Sequence, residues 1–396
     1  MPKKTITDVD VEGKRVLLRV DFNVPLDINT GFIRDDSRIR AVLPTIKYLV
    51  DHKAKIILCS HLGRPKGKAV EGLRMKPVAE RLSQLTGLPI KVVNDCVGEE
   101  VENKVRELEE GELLFLENLR FHLEEEENDP SLAQKLAKLA DIYVNDAFGT
   151  AHRAHASNVG VAKYLPAVAG FLMEKEIEAM NRLLHNTERP FACLIGGAKV
   201  SDKINLLQNM LKKVDILLIG GGMAATFLKA EGYGVGCSLV EEDKLGLAKK
   251  LLEEAQAWKV PLRLPQDVVV TPEIKDAASS KILLIEDIPQ ESYVVDIGPK
   301  TVELFCQELS ECRTILWNGP MGICEIPQFS QGTKSLANFL STLDATTIIG
   351  GGSSAEVVQE MGLVGKMTHV STGGGATLRF LEGAVLPGME VLQDKN

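Results

Sequence analysis

The chain of 396 residues has no C-x-x-C pair, and its seven cysteines (Cys59, Cys96, Cys193, Cys237, Cys306, Cys312 and Cys324) are odd in number. That pattern speaks against a disulfide frame or a zinc site and for reduced, partly buried thiols. No apolar run approaches the roughly 20 residues of a membrane span, and the N-terminal stretch lacks the apolar segment of a signal peptide. A soluble, cytoplasmic protein is therefore expected. An excess of basic charge is also missing. The formal net charge of −9 argues against non-specific nucleic-acid binding. No G-x-x-x-x-G-K-[ST] segment occurs, which excludes a P-loop enzyme. Low-complexity segments and detailed repeats are absent as well.

What is present divides the chain. Its length suggests two domains at about 150 residues each, and 44% hydrophobic residues suffice for two cores. Up to residue 170 the chain holds 11 of its 16 Arg and 5 of its 7 His, and its charge balance is −1; beyond that point the balance is −8. Glycine-rich turns dominate after residue 185: Ile195-Gly-Gly-Ala-Lys199, Ile219-Gly-Gly-Gly-Met223, Ile349-Gly-Gly-Gly-Ser353 and Ser371-Thr-Gly-Gly-Gly375. Between the two regions, residues 171–185 place Met173, Ile177, Met180 and Leu184 on one face of a helix, read equally as a core helix or a connecting one.

Helices and strands alternate through the first region. Strands are expected at 14–20, 55–59, 90–93, 112–116 and 141–145, with helices at 36–52, 76–86, 97–107 and 131–139. Such alternation implies parallel βαβ units and a doubly wound sheet. Past the helix it resumes, with strands at 191–195, 215–219, 267–270, 293–296, 314–317, 346–349 and 369–372. The fold class is thus α/β: two doubly wound, Rossmann-like parallel-sheet domains at 1–170 and 186–383, joined by the helix 171–185.

Ligands of such sheets sit beyond the carboxyl ends of the strands. There the first region offers Asp21 and Asn23, His61 and Arg64, Asn118 and Arg120, and Asn145 and Asp146, with Arg38 at the start of the first helix. Several guanidinium groups at one sheet edge suit phosphate and carboxylate oxygens. Glu124–Glu127 reads as a solvated run. In the second region Lys199 and Lys203 stand i, i+4 at the beginning of a helix, where they would share a face toward one phosphate. Asn318 lies in another strand-end turn, and Glu325 is placed to meet ribose hydroxyls. Gly220–Ala225 fits G-x-G-x-x-A with Glu241 about 20 residues on, a pattern that also serves simple tight turns.

Taken together, Arg19-Val-Asp-Phe-Asn-Val-Pro25, Ser60-His-Leu-Gly-Arg-Pro65, Glu117-Asn-Leu-Arg-Phe121, Asn145-Asp-Ala-Phe-Gly149, Ala151-His-Arg-Ala-His155, Gly196-Gly-Ala-Lys-Val200, Asp296-Ile-Gly-Pro-Lys300, Trp317-Asn-Gly-Pro-Met-Gly322 and His369-Val-Ser-Thr-Gly-Gly-Gly375 resemble phosphoglycerate kinase, in that family's order and across essentially the whole chain. The resemblance implies a hinged, monomeric enzyme whose C-terminal tail, from about residue 384 to 396, folds back onto the first domain. The implied reaction is 1,3-bisphosphoglycerate + ADP ⇌ 3-phosphoglycerate + ATP with Mg²⁺. Carried over, Asp21, Asn23, Arg38, His61, Leu62, Gly63, Arg64, Arg120 and Arg153 would bind phosphoglycerate. Gly197, Ala198, Lys203, Gly221, Asn318, Glu325, Gly351, Gly352, Ser353 and Ser354 would bind nucleotide. Arg38, Lys199 and Lys203 would be catalytic.

The chain departs from the family pattern at Ser353, where an Asp expected to hold Mg²⁺ is usual. It departs also at Cys324, usually Phe, and Arg379, usually an acid. Two other readings follow. One is a kinase-deficient family member with a regulatory role, motivated by Ser353. The other is a dinucleotide-dependent dehydrogenase, motivated by G-x-G-x-x-A.

Overall fold

The computed structural model describes residues 2–27, 31–275 and 279–395. Its contacts separate into two units. One holds the residues up to Glu178 together with those from Val385 onward; the other is Ala179–Ala384. The boundary falls inside the helix Phe171–His185, on which Leu183 is the buried residue beside Met173, Ile177 and Met180, in place of the expected Leu184.

Short, continuous apolar runs make the strands of the first unit, as parallel strands do when both faces of their sheet are covered. They are β1 (Arg15–Val20), β2 (Lys55–Cys59), β3 (Ile90–Val92), β4 (Leu113–Phe115), β5 (Ile142–Asp146) and β6 (Ala167–Ala169), a short edge strand not anticipated from sequence. They lie in the order β3-β4-β2-β1-β5-β6, paired in parallel throughout. Val16, Leu18 and Val20 of β1 enter a core shared with Ile39, Val42, Ile46 and Leu49 of the helix Ser37–Asp51 and with Val78 and Leu82 of the helix Lys76–Thr86. Strand periodicity turns Leu17 and Arg19 to the opposite face. Arg19 stands in register with Cys59 and Asn145, so the segments leaving β1, β2 and β5 emerge side by side at one sheet edge.

The second unit repeats the parallel plan with β7 (Phe191–Ile195), β8 (Ile216–Ile219), β9 (Leu262–Arg263), β13 (Thr314–Asn318), β14 (Thr346–Gly350) and β15 (His369–Val370), ordered β15-β14-β13-β7-β8-β9. Leu194, Leu218, Trp317 and Ile349 pack there against Phe305, Leu336 and Val358 of the covering helices. The expected strands near 267 and 293 do not join this sheet. With Lys281–Leu284 they form a separate antiparallel one, ordered β11-β10-β12, where β10 is Asp267–Thr271, β11 is Lys281–Leu284 and β12 is Tyr293–Ile297. The links between these strands are too short for the dozen or more residues that a parallel crossover takes. Among the described residues, no helix is long and apolar enough to cross a membrane.

The end of β5 serves the fold. Asn145 donates to Asn158 Oδ1 at 2.7 Å and to the Gly388 carbonyl at 3.2 Å. Asp146 is fully buried and accepts from the Met173 N–H at 3.0 Å, at the start of the helix Phe171–His185. Burial pushes its carboxyl up to about 7, against hydrogen bonds from Thr45, Met173 and Leu172. The folded chain therefore holds this proton more tightly than the unfolded chain. The associated stability is present below the ordinary carboxyl range and is lost as pH rises through about 7. We expect Asp146→Asn to flatten this decline. Thermal unfolding midpoints at about pH 5 and about pH 8 should differ less than in the parent chain; equal pH profiles would contradict the assignment.

Candidate active site

Beyond β1, β2 and β5, a cationic cluster is held by a buried polar chain. Arg19 has no solvent-accessible surface. Its Nε donates to Ser157 Oγ at 2.9 Å, and its terminal nitrogens reach the Val20 carbonyl and, at 3.3 Å, His61 Nδ1. Ser157 in turn donates through Oγ and N–H to Glu125 at 2.6 and 2.9 Å, and His155 Nδ1 lies 3.7 Å from the same carboxylate. Burial works to raise the Glu125 carboxyl, but His155, Arg19 and Ser157 outweigh it and hold it low. A guanidinium has no acceptor, so the Arg19 contact requires a lone pair on His61 Nδ1 and puts the ring proton on Nε2. Burial, with Arg19, Arg120 and Arg153 nearby, drives His61 well below its ordinary pKa although Asp21 opposes them. His61 is therefore a neutral donor.

Around His61 the other groups are fixed in turn. Arg38 donates to Asp21 Oδ2. Burial raises Asp21, and the guanidinium groups of Arg38 and Arg19 overcome it, leaving the carboxyl ionised. Asn23 Oδ1 accepts from the Gly63 N–H at 2.9 Å, and Arg120 donates to the Gly63 carbonyl at 2.7 Å. The Leu62 N–H donates to Asn118 Oδ1 at 3.2 Å. Arg120 also lies 3.2 Å from Glu126. Arg153 donates to His152 Nε2 at 3.2 Å, and Arg64 is exposed. The result is a rim of guanidinium groups and one neutral imidazole, a constellation suited to a small polyanion.

In the second unit a cavity of about 370 Å³ is bounded by the turns at Gly197–Ala198, Gly221–Gly222 and Pro320–Gly322, with Glu325 and Ser353 also lining it. Val268 of β10 and Val295 and Ile297 of β12 supply apolar wall. The glycine turns pack on one another. Gly221 has φ +67°, and a Cβ there would lie 2.6 Å from Gly197 N and 2.7 Å from Pro320 O. Gly197 N–H donates to Pro320 O at 2.9 Å and Gly221 N–H to Met321 O at 3.1 Å. These glycines thus bring backbones close and spend their N–H groups on the Pro320 and Met321 carbonyls. Free donors remain at the first turn of the helix Gly352–Glu360, whose N–H groups have no carbonyl one turn earlier. Lys203 Nζ donates to Asn318 Oδ1. Burial lowers its pKa, opposed by Asp202, Cys193 and Glu382.

A family model described as phosphoglycerate kinase matches residues 6–384. Phosphoglycerate kinases of Dictyoglomus turgidum and Pelotomaculum thermopropionicum are 57% and 54% identical to the chain, with full coverage of both chains in each case. The chain belongs to the phosphoglycerate kinase family. Solved phosphoglycerate kinase structures from Coxiella burnetii and Pyrococcus horikoshii agree with its fold. Their TM-scores are 0.88 and 0.86 at 41% and 36% identity, with 98% of each chain covered.

Within this family framework several sequence expectations change. Lys199 and Lys203 do not share a helical face. The helix begins at Ile204 with Lys203 as its N-cap, and Lys199 stands exposed in the preceding turn, because the glycines at 196 and 197 and the bonding of their N–H groups hold that segment out of a helix. Ser354 is buried, donates to Gly350 O at 2.7 Å and accepts from Gly319 N–H at 3.2 Å, so its hydroxyl clamps two turns together. Gly351, at φ +87°, is the N-cap of the helix that Gly352 begins. Glu241 accepts from Ser201 N–H at 3.0 Å, which occupies the acid a dinucleotide reading needs; that reading gives way to the family assignment. Glu125 is fully buried within the run read as solvated, since the short helix Leu123–Glu126 turns it inward. Arg19, Ser157 and Glu125 were not singled out as site residues, and an Arg inside an apolar strand was the available signal.

Cys324 Sγ lies 3.5 Å from Thr333 Oγ1, and Arg379 pairs with Glu382 at 3.6 Å. Gly221→Ala is expected to cost at least about 2 kcal/mol, from backbone strain and overpacking. Urea unfolding checks this, and a variant as stable as the parent would contradict the packing of the glycine turns.

Proposed function

We propose that this chain catalyses reversible phosphoryl transfer between 1,3-bisphosphoglycerate and ADP, giving 3-phosphoglycerate and ATP. It would be a phosphotransferase with a carboxyl group as acceptor, acting as a soluble monomer in the cytoplasm. The observation that supports this beyond family membership is the division of the binding chemistry. One unit carries guanidinium side chains and the neutral His61 donor. The other carries a cavity walled by backbone turns, with Lys203 held nearby.

Phosphoglycerate would bind through Arg38, His61, Arg64, Arg120 and Arg153, with Asp21 and Asn23 holding Arg38 and the Gly63 turn in place. ADP would lie against Gly197, Ala198 and Gly221, its ribose toward Glu325 and its phosphates toward the free N–H groups at Gly352 and Ser353. The acyl phosphate is already activated and the product carboxylate needs no deprotonation, so neither a general base nor a covalent intermediate is called for. Catalysis reduces to in-line placement and stabilisation of charge on the transferred group. Arg38 and Lys203 are the groups assigned to that charge. They belong to different units, so the reading includes a closing motion that brings both to one phosphoryl group and removes water. Asn318 holds the Lys203 ammonium ready.

Mg²⁺ favours oxygen ligands and keeps several waters. Among the described residues, no group of three His, Cys, Asp or Glu ligands gathers at this cavity. Asp296 accepts from Gly332 and Ile297 N–H groups, and burial raises its carboxyl to about 7. The position of Ser353 supplies only a neutral hydroxyl. The residues therefore fit a Mg²⁺ held chiefly by nucleotide phosphates and water, where it would neutralise phosphate charge. The kinase-deficient alternative rests on Ser353 alone.

Steady-state ADP formation from ATP and 3-phosphoglycerate across a Mg²⁺ titration tests the proposal. The parent chain should turn over. Lys203→Met should lower kcat by about 100-fold or more, and Ser353→Asp should shift the Mg²⁺ requirement to lower concentration. A parent chain without turnover would overturn the function, and an unchanged Mg²⁺ requirement would remove Ser353 from the metal.

A further inference from the structure

The residues assigned to phosphoglycerate leave one chemically distinctive group unused. Asp95 and Cys96 lie in the loop that follows β3, and His122 follows the turn Leu119–Phe121. One ligand atom from each lies within 4.8 Å of the other two. Among the described residues this is the one group of three or more such side chains. His122 Nε2 is 2.6 Å from Asp95 Oδ1, and Asp95 Oδ1 also accepts from the Cys96 N–H at 2.6 Å. The Glu117 N–H donates to the Asp95 carbonyl at 3.3 Å and His122 N–H to the Leu119 carbonyl at 3.2 Å, so both backbones are anchored.

The burial of the three residues is graded. Cys96 is buried, His122 is intermediate, and Asp95 is exposed. An ion settling from solvent would meet the carboxylate and the imidazole at the surface, with sulfur beneath. Its remaining position would stay open to water. We propose that Asp95, Cys96 and His122 form a zinc-binding site that no phosphoglycerate or nucleotide role explains. Thiolate, imidazole and carboxylate together are the donor set of Zn²⁺, and three protein ligands plus water is one of its recurring arrangements. Mg²⁺ and Ca²⁺ prefer an all-oxygen shell and do not compete well for sulfur.

The ligand atoms start within 4.8 Å of one another, so closing on an ion needs shifts of up to about 1.5 Å. Bonds of about 2.0–2.3 Å in a tetrahedron place ligand atoms roughly 3.3–3.7 Å apart. The His122–Asp95 hydrogen bond must therefore open by about an ångström, which the exposed Asp95 side chain allows. On binding, Zn²⁺ takes the sulfur lone pair and the thiol proton leaves to solvent. Bound there, zinc would pin the loop after β3 to the turn that carries Arg120. The spacing argument missed the site because it looks for paired cysteines, and this site uses one.

Titrating the metal-free full chain with zinc chloride by calorimetry tests the proposal. One equivalent should bind, and excess Mg²⁺ should not displace it. Cys96→Ser and His122→Gln should each weaken binding by at least about tenfold, while Cys237→Ser, at an exposed thiol, should leave it unchanged. With Co²⁺ in place of Zn²⁺, a sulfur-to-metal charge-transfer band should appear in the parent chain and vanish in Cys96→Ser. Should Cys96→Ser fail to fold by circular dichroism, Asp95→Asn and His122→Gln carry the same test on less buried side chains. Absence of stoichiometric binding, equal affinity in the His122 and Asp95 variants, or loss of binding in Cys237→Ser would overturn it.

Discussion

A guanidinium without access to water sits near the end of β1, and the arginine-rich edge of the first unit is arranged around it. Arg19 cannot shed its charge, so the fold has to answer it. Ser157 and Glu125 do so through a relay of hydrogen bonds. The relay needs a turn of helix at Leu123–Glu126 and the π-turn Ala156–Gly160 that presents Ser157, an irregularity that recurs at functional sites. Removing one member of a buried pair of this kind costs about 3–5 kcal/mol, because the other charge is stranded. The same guanidinium leaves His61 a neutral donor among cations. A charged imidazole there would add to the repulsion among Arg19, Arg120 and Arg153.

The second unit solves its problem with backbone. Its glycine turns approach one another too closely for side chains and consume their own N–H groups. What they build is a surface against which a flat group can lie, bounded by the apolar face of β10 and β12. The donors left over are the first turn of one helix and Lys203, whose ammonium is already oriented by Asn318. Ser353 fits that economy, since a site of free N–H groups and a lysine offers positive potential without a carboxylate.

Much of this was legible in the residues. The parallel strands announce themselves as apolar runs, and the family motifs fall at the strand ends. Three things were hidden, each for a physical reason. Arg19 shares β1 with apolar neighbours on a strand covered on both faces, so alternation gives no sign of which side chains are buried. Glu125 is one acid among four, and only the tertiary position of a four-residue helix separates it from its exposed neighbours. The antiparallel sheet of β10, β11 and β12 was misassigned because periodicity finds strands without saying which sheet they join. Lys199 and Lys203 show the converse error, where correct spacing was placed on a helix that starts one residue later than Lys203.

The central claim is that Arg19 fixes His61 as a neutral ring protonated on Nε2. Nitrogen NMR of the imidazoles in labelled protein, followed across pH, tests it most directly. The account predicts that the His61 Nδ1 resonance is that of an unprotonated nitrogen, with no protonation step near the ordinary histidine value of about 6.5. A His61 ring that carries its proton on Nδ1, or that titrates at or above that value, would contradict it.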